Sequence, residues 1–346
     1  MARERIVSGE SLGPEEEVPL NILRPQRLDE VIGQSELIEK LRISLKAARD
    51  RGEPVEHVLM HGPPGLGKTT LAHVIAHEMN AALRLTSGPA LTRPGDLVGL
   101  LTGLAQGDVL FIDEIHRLSA AVEEYIYPAM EDYKVDFVVD SGMHSRTINL
   151  PLKPFTLIGA TTRAGLLSPP MRTRFGINHH LDFWSVEDLL ARGRMSASML
   201  KLEYDEPALA LLAGRARGTP RIANRLLRRC RDYTQVKGDG RLTIQTVEAA
   251  LKLEGIDELG LDDLDRRFLR TIIDTYRGGP VGIEAVAATL GEETDTLVDV
   301  VEPFLLQTGL LARTRRGRLA TMKAYEHLGF KYTPPPDEPG LFETEA

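Results

Sequence analysis

The amino-acid sequence predicts an α/β domain on a largely parallel sheet, then a small all-helical domain, then a third domain of short helices ending in a hairpin. Three observations predict this order. Short apolar runs alternate with helical patterns from residue 22 to about 184, strand-like runs are missing from 185 to about 254, and the pattern changes again after Leu261. Strands alternating with helices signal parallel strands joined by crossover connections.

In the first region the expected strands are 57–60, 83–85, 109–112 and 156–160. In the second, Leu189, Leu209, Leu211, Leu212 and the apolar residues between Ile222 and Leu227 recur at helical spacing. In the third, 265–276, 283–290 and 295–307 read as helices. Runs 310–314 and 318–321 then face each other across Arg315, Arg316 and Gly317. Three short helices and a basic-tipped hairpin form the pattern of a winged helix, a relative of the helix-turn-helix DNA readers. The expected domains are therefore 21–184, 185–256 and 257–332. Polar, proline-bearing tails at 1–20 and 333–346 are expected to be mobile.

Composition bounds the function. The chain has 346 residues, enough for two or three cores, and a formal net charge of −8, which excludes a uniformly basic DNA-coating protein. A single cysteine, Cys230, allows no internal disulfide and suits a reducing compartment. No apolar run is long enough to cross a bilayer and no signal-peptide core opens the chain, so a soluble, cytoplasmic protein is expected.

The chemistry begins at His61-GPPGLGKTT-Leu71, which fits the pattern GxxxxGK followed by Ser or Thr. An apolar strand precedes it and a helical pattern follows. Glycines Gly62, Gly65 and Gly67 let backbone N–H groups close around phosphate oxygens, and the helix N-terminus adds positive potential. Lys68 is expected on the β/γ-phosphates and Thr69 on a magnesium ion, so the chain is expected to bind ATP or GTP with Mg2+. The run Val109-Leu110-Phe111-Ile112-Asp113-Glu114 is a buried strand ending in two carboxylates. Asp113 can hold magnesium through water, and Glu114 can orient and deprotonate an attacking water. A third strand ends at Thr161 and Thr162, whose hydroxyls can sense the γ-phosphate. Arg172 and Arg174 follow on a short turn from which a cation reaches a neighbouring subunit's nucleotide more easily than its own. Arg221 stands near the start of a helix opened by Pro220 and is expected to contact the γ-phosphate. His73 and His77 have zinc-binding spacing, but no glutamate follows His73 and their helix already has a phosphate role.

Several segments together resemble the RuvB family of AAA+ motors. They are LRPQRLDEVIGQ from Leu23, the phosphate loop, TSGPA from Thr86, LFIDEIHRLS from Leu110, YPAMED from Tyr127, LIGATTRAG from Leu157, RFGI from Arg174 and GTPRIANRLLRRCRD from Gly218. The resemblance runs from about residue 20 to 330. It implies an AAA+ ATPase domain, a helical lid and a winged-helix head, acting as a homohexameric ring on duplex DNA. Such a ring would be recruited by RuvA to Holliday junctions, with RuvC in the resolving complex. It further implies that Leu23 and Arg24 flank the nucleotide, that Gly65, Lys68, Thr69 and Thr70 hold phosphates, and that Glu131, Asp132, Tyr133 and Trp184 line the site. Arg174 would be the trans arginine finger, Thr161 and Thr162 the first sensor and Arg221 the second. Arg313 and Arg318 would contact DNA, with Arg315 and Arg316 beside them on the wing, and the segment 135–150 would dock RuvA. The chain departs from the family's usual Tyr at Trp184 and usual Pro at Arg315. The competing class is an ATP-switched DNA loader or replication initiator. No base-reading constellation is visible, so phosphate-dominated, sequence-independent DNA binding is expected.

Overall fold

The computed structural model describes residues 6–8, 24–138 and 147–332. Its chain divides into two compact units. A sheet unit runs to Ser196 and takes in Thr219–Arg221, and a helical unit holds residues 6–8, Ala197–Gly218 and everything from Ile222.

The sheet unit carries α1 (Ser35–Arg51), β1 (Val58–His61), α2 (Lys68–Glu78), β2 (Leu83–Ser87), α3 (Pro94–Thr102), β3 (Val109–Asp113) and α4 (Ala120–Asp132). A hairpin of β4 (Lys134–Val138) and β5 (Thr147–Pro151) follows, then β6 (Thr156–Thr161), α5 (Pro169–Thr173), β7 (Ile177–His180) and α6 (Val186–Met199). Five strands form one sheet in the order β2-β3-β6-β1-β7, and every pair is parallel. Because both faces are covered by helices, the central strands are continuous apolar runs. All six residues of β6 and the first four of β3 are buried. Alternation assigns the faces: Val58 and Met60 pack with Leu41, Leu45, Leu71 and Ile75 of α1 and α2. Leu59 points the other way, into the core of Leu97, Leu101, Val122 and Ile126 from α3 and α4. The fifth strand, β7, was not expected from the sequence. Its residues Ile177, Asn178, His179 and His180 alternate between partly buried and exposed at the sheet edge, without an apolar run to announce them.

The described parts of the segment 135–150 pair antiparallel, from Lys134↔Pro151 to Val138↔Thr147. The Ser141-Gly142 tip expected for it lies outside the described residues, as do most of the N-terminal tail and all of the C-terminal one.

The helical unit is built from α7 (Glu206–Gly214), α8 (Pro220–Lys237) and α9 (Ile244–Leu253), then α10 (Asp263–Arg270), which continues in a π-helical turn Thr271–Thr275. After α11 (Ile283–Leu290) come the consecutive segments α12 (Thr294–Thr296), a π turn Leu297–Val301 and α13 (Glu302–Gln307). The hairpin β8 (Leu311–Thr314) and β9 (Gly317–Ala320) and α14 (Met322–Leu328) close the chain. Asp262 and Asp265 form a capping box that starts α10 a turn before the apolar residues Phe268, Leu269 and Ile272 enter the core. No helix among the described residues is long and apolar enough to cross a membrane.

Candidate nucleotide site and nucleic-acid interface

The loop between β1 and α2 needs glycine for steric reasons. Gly62 has φ +142°, and a Cβ there would sit 2.5 Å from the Leu181 carbonyl oxygen. Gly67, the residue before α2, has φ +106° and open space where its Cβ would point. The Gly62 N–H is tied to the Thr161 carbonyl at 3.2 Å, which fixes the loop to the end of β6. Lys68 opens α2 and is buried. Its Nζ donates to the Gly62 carbonyl at 2.7 Å and to the Pro63 carbonyl at 2.9 Å. Burial lowers its pKa to about 8, against the pull of Asp113 and Glu114 and with a further push from Arg221. Thr69 and Thr70, half-buried, follow in the first turn of α2, where unpaired backbone N–H groups attract anions.

The two carboxylates stand at the end of β3. Burial raises the Asp113 pKa and the charge on Glu114 adds to this, while Lys68 and the Glu114 N–H work against it. Glu114 has φ +47°, a left-handed conformation that is uncommon for a non-glycine residue. Its Oε2 accepts from the Thr162 hydroxyl at 3.2 Å and lies 3.1 Å from His116 Nδ1. Burial alone would raise the Glu114 pKa, but His116, Lys68 and Thr162 together hold it below the usual value. The threonine pair divides its work. Thr162 meets the glutamate, whereas Thr161 is fully buried, bonded to His116 at 2.8 Å and accepting the Arg163 N–H. Only Thr162 of the expected sensor pair touches a proposed catalytic group, because alternation along β6 turns Thr161 inward.

Around this centre, Arg24 reaches His73 on α2 at 3.2 Å. Arg221 is close enough to depress the Lys68 pKa. The Trp184 indole lies where a Cβ on Gly33 would meet it at 3.2 Å, and its buried Nε1 has no hydrogen-bond partner among the described residues. Leu23 lies outside the described residues. A buried ammonium, two partly buried carboxylates of opposed pKa tendency and a glycine cradle suit a polyphosphate and a divalent cation. Each charge is at least partly withdrawn from water, where a ligand of opposite charge is favoured.

Glu131, Asp132 and Tyr133, implied by the resemblance to line the nucleotide site, stand apart from the phosphate loop of the same subunit. They end α4, at the opposite ends of the strands from the phosphate loop. Tyr133 packs edge-on against His57 and Phe155, the residues just before β1 and β6. Arg174 stands at that same end. Its Nη2 pairs with Glu131 at 3.1 Å, its Nη1 donates to the Pro170 carbonyl at 2.7 Å, and its guanidinium lies 4.4 Å from the Tyr127 ring centroid. Tyr127 is itself bonded to Glu123 at 2.6 Å and Ser168 at 3.1 Å. His57 supports the platform from beneath, with Nε2 on the Met130 carbonyl at 3.1 Å and Nδ1 accepting the Leu157 N–H at 2.9 Å. Sequence reasoning missed His57, Glu123, Tyr127 and Ser168. A lone histidine before a strand gives no signal, and although Glu123 and Tyr127 are one helical turn apart, Ser168 and Arg174 join them from more than forty residues away.

In the winged hairpin, Arg313 opposes Arg318 and Thr314 opposes Gly317, leaving Arg315 and Arg316 as the two-residue turn. Arg313, Arg315 and Arg316 are exposed. Arg318 is not. It is buried and paired with Glu302 of α13, its Nε reaching Oε1 at 2.5 Å and Nη2 reaching Oε2 at 3.2 Å. The resemblance implies a DNA contact for Arg318, but its side chain is instead committed to Glu302. β9 is covered on its outer side by a bridge between Val281 and Arg318, and the Arg318 side chain turns inward to a buried carboxylate.

Comparison with known proteins bears on the whole chain. The model of the Holliday junction DNA helicase RuvB P-loop domain matches residues 23–181, that of the RuvB AAA lid domain 184–257, and that of the RuvB C-terminal winged helix domain 258–329. The Holliday junction branch migration complex subunit RuvB of Desulfosudis oleivorans is 58% identical over 310 residues, covering 90% of each chain. The chain belongs to the RuvB family. The subunit RuvB of Myxococcus xanthus is 51% identical over 98% of both chains. The Thermotoga maritima RuvB Holliday junction branch migration motor superposes with a TM-score of 0.83 at 51% identity, covering 90% of this chain and all of that one. The P-loop AAA+ sheet, lid and winged-helix architecture is that of the family.

Proposed function

We propose that this RuvB-family chain is an ATP-driven DNA motor that moves Holliday junctions, working as a homohexameric ring with a RuvA partner, and with RuvC where junctions are resolved. The observation that carries the ring reading is the division of the nucleotide machinery between the two ends of one parallel sheet. Lys68, Asp113 and Glu114 gather at one end, and Arg174 stands at the other beside Glu131. One subunit's Arg174 cannot serve its own loop, so a neighbour's must complete the site, and Glu131, Asp132 and Tyr133 would come to the nucleotide by the same route.

Within a site, Lys68 would bind the β/γ-phosphates, and Thr69 and Asp113 would hold Mg2+. Bound there, the ion neutralises charge that builds on the transferred phosphoryl group. Glu114, kept ionised by His116 and Thr162, would orient the attacking water and accept its proton. Arg24, Trp184 and Arg221 would border the nucleotide. On the winged helix, exposed Arg313, Arg315 and Arg316 would meet backbone phosphates without reading sequence. The hairpin of β4 and β5 would seat RuvA through its exposed Ile148.

The decisive experiment is junction movement by the purified chain with ATP and magnesium, with and without a RuvA protein. Movement dependent on ATP and stimulated by RuvA is expected. ATP turnover that changes DNA affinity but never moves a junction would overturn the motor reading in favour of an ATP-switched loader.

A further inference from the structure

Arg217 and Asp265 form a deeply buried ion pair, with side chains 2% and 0% exposed. They lie in different family domains, the lid (184–257) and the winged helix (258–329). Yet lid residues from Ala197 and the winged helix fall into one compact unit. Arg217 is held in a left-handed backbone conformation, φ +54°. Its Nε donates to the Gly260 carbonyl at 2.7 Å, its Nη2 pairs with Asp265, and its guanidinium lies 4.9 Å from the Phe304 ring centroid. One arginine thus grips the interdomain connector, the first turn of α10 and α13. Asp265 is equally committed, because it also accepts the Asp262 N–H at 2.9 Å in the capping box that starts α10.

A second clasp runs beside the first. Gly260 has φ +80°, and a Cβ there would stand 2.7 Å from the Arg215 carbonyl oxygen, so the connector is pressed against lid backbone. Arg266 donates to the Gly255 carbonyl at 2.9 Å and the Leu261 carbonyl at 2.8 Å. Asp257 takes His327 of α14 at 2.9 Å.

A buried ion pair is poor evidence for stability, since an apolar pair of similar size often serves as well. What it supplies is orientation, because a planar guanidinium bonded through Nε and Nη2 and stacked face-on against a ring is tightly constrained. We infer that Arg217 and Asp265 weld the lid and the winged helix into a single rigid lever, so that movement at Arg221, four residues along the chain from Arg217, reaches the wing undiminished. Arg217 is then a positioning residue that sets how much junction movement each ATP produces. The inference rests on Arg221 sensing nucleotide and the wing gripping DNA.

The test places spin labels at Lys252 on the lid and Glu326 on the winged helix, both exposed, in full-length protein with Cys230→Ala. A single distance distribution, the same with no nucleotide, with ADP and with a non-hydrolysable ATP analogue, is expected. A distance that shifts with nucleotide would overturn the lever. In Arg217→Gln and Asp265→Asn the distribution should broaden. Junction movement per ATP hydrolysed should fall roughly tenfold, within the range for substitutions that carry coupling, while ATP affinity stays unchanged. Variants that keep both the single distribution and full coupling would remove these two residues from the weld. If neither variant folds, the distances in the native pair decide alone. A native protein that moves no junction but keeps its distance would refute the motor reading and leave the lever standing.

Discussion

The two ends of the ATPase sheet handle charge in opposite ways. At the carboxyl ends of the strands, Lys68, Asp113 and Glu114 are crowded together, with the lysine pulled down to about 8 by burial and the aspartate pushed up. At the amino ends, Arg174 is settled on Glu131, the Pro170 carbonyl and the Tyr127 face. The first end is a set of charges in need of a ligand, and the second is a charge held ready on partners of its own. Under the proposed function, a site split in this way would be completed only between two subunits.

The largest effect expected from breaking this contrast is at Arg174. Arg174→Ala should leave ATP binding intact and lower turnover by about 10³–10⁵, the worth of an arginine finger. Mixing it with Lys68→Ala protein should restore activity at interfaces that pair an intact lysine with an intact arginine. Steady-state hydrolysis across mixing ratios checks this, and strictly additive loss would point to a role within one subunit. Next in size is Glu114→Gln, which removes the base but leaves the cradle. Nucleotide and magnesium affinity should hold while turnover falls by about 10²–10⁴. Turnover within a few-fold of the native chain would exclude Glu114 as the water-positioning group.

The same distinction between committed and uncommitted charge divides the wing. Arg313→Ala should weaken binding to duplexes of unrelated sequence and lower the slope of log K against log salt by about 1. Arg318→Ala should lower the melting temperature, since it leaves Glu302 buried without its partner, and should leave the slope unchanged. Equal slopes lost in both variants would return Arg318 to the DNA surface.

The smallest effect lies under the Arg174 platform. His57 accepts the Leu157 N–H, and burial lowers its pKa below 6.5. Between its folded and unfolded values the unfolded chain binds more protons, so stability is complete above pH 6.5 and is lost on acidification. His57→Gln should reduce the dependence of unfolding free energy on pH in that window by up to about 1.4 kcal/mol per pH unit. A titration of stability from neutral to mildly acidic pH reads this directly. An unaltered slope would show that His57 does not titrate with folding.

How much the sequence revealed depended on the separation of the partners. The loop from Gly62 to Thr69 and the strand ending in Asp113 and Glu114 were legible because their geometry is local, a strand turning into a helix or stopping at a carboxylate. The family resemblance named Arg174 and Glu131, but only the fold shows that they share an end of the sheet. His57 and Leu157 are a hundred residues apart, and Arg217 and Asp265 forty-eight, so no periodicity could pair them. Edge strand β7 escaped because half of its residues face outward. Arg318 was misread because four arginines near a turn look alike in sequence, whereas the hairpin register and the bridge to Val281 turn one of them inward.

The grip of Lys68 on Gly62 and Pro63 has a consequence for how the nucleotide is captured. A lysine side chain that must be immobilised on a ligand gives up about 2 kcal/mol of rotamer freedom. In this chain the fold itself restricts that freedom, because the ammonium is buried and donates to two carbonyls of its own loop. Capture is then an exchange of acceptors by an ordered donor, with little entropy left to lose. The same contacts make Lys68 a keystone of the loop, so its removal should loosen the loop as well as weaken phosphate binding.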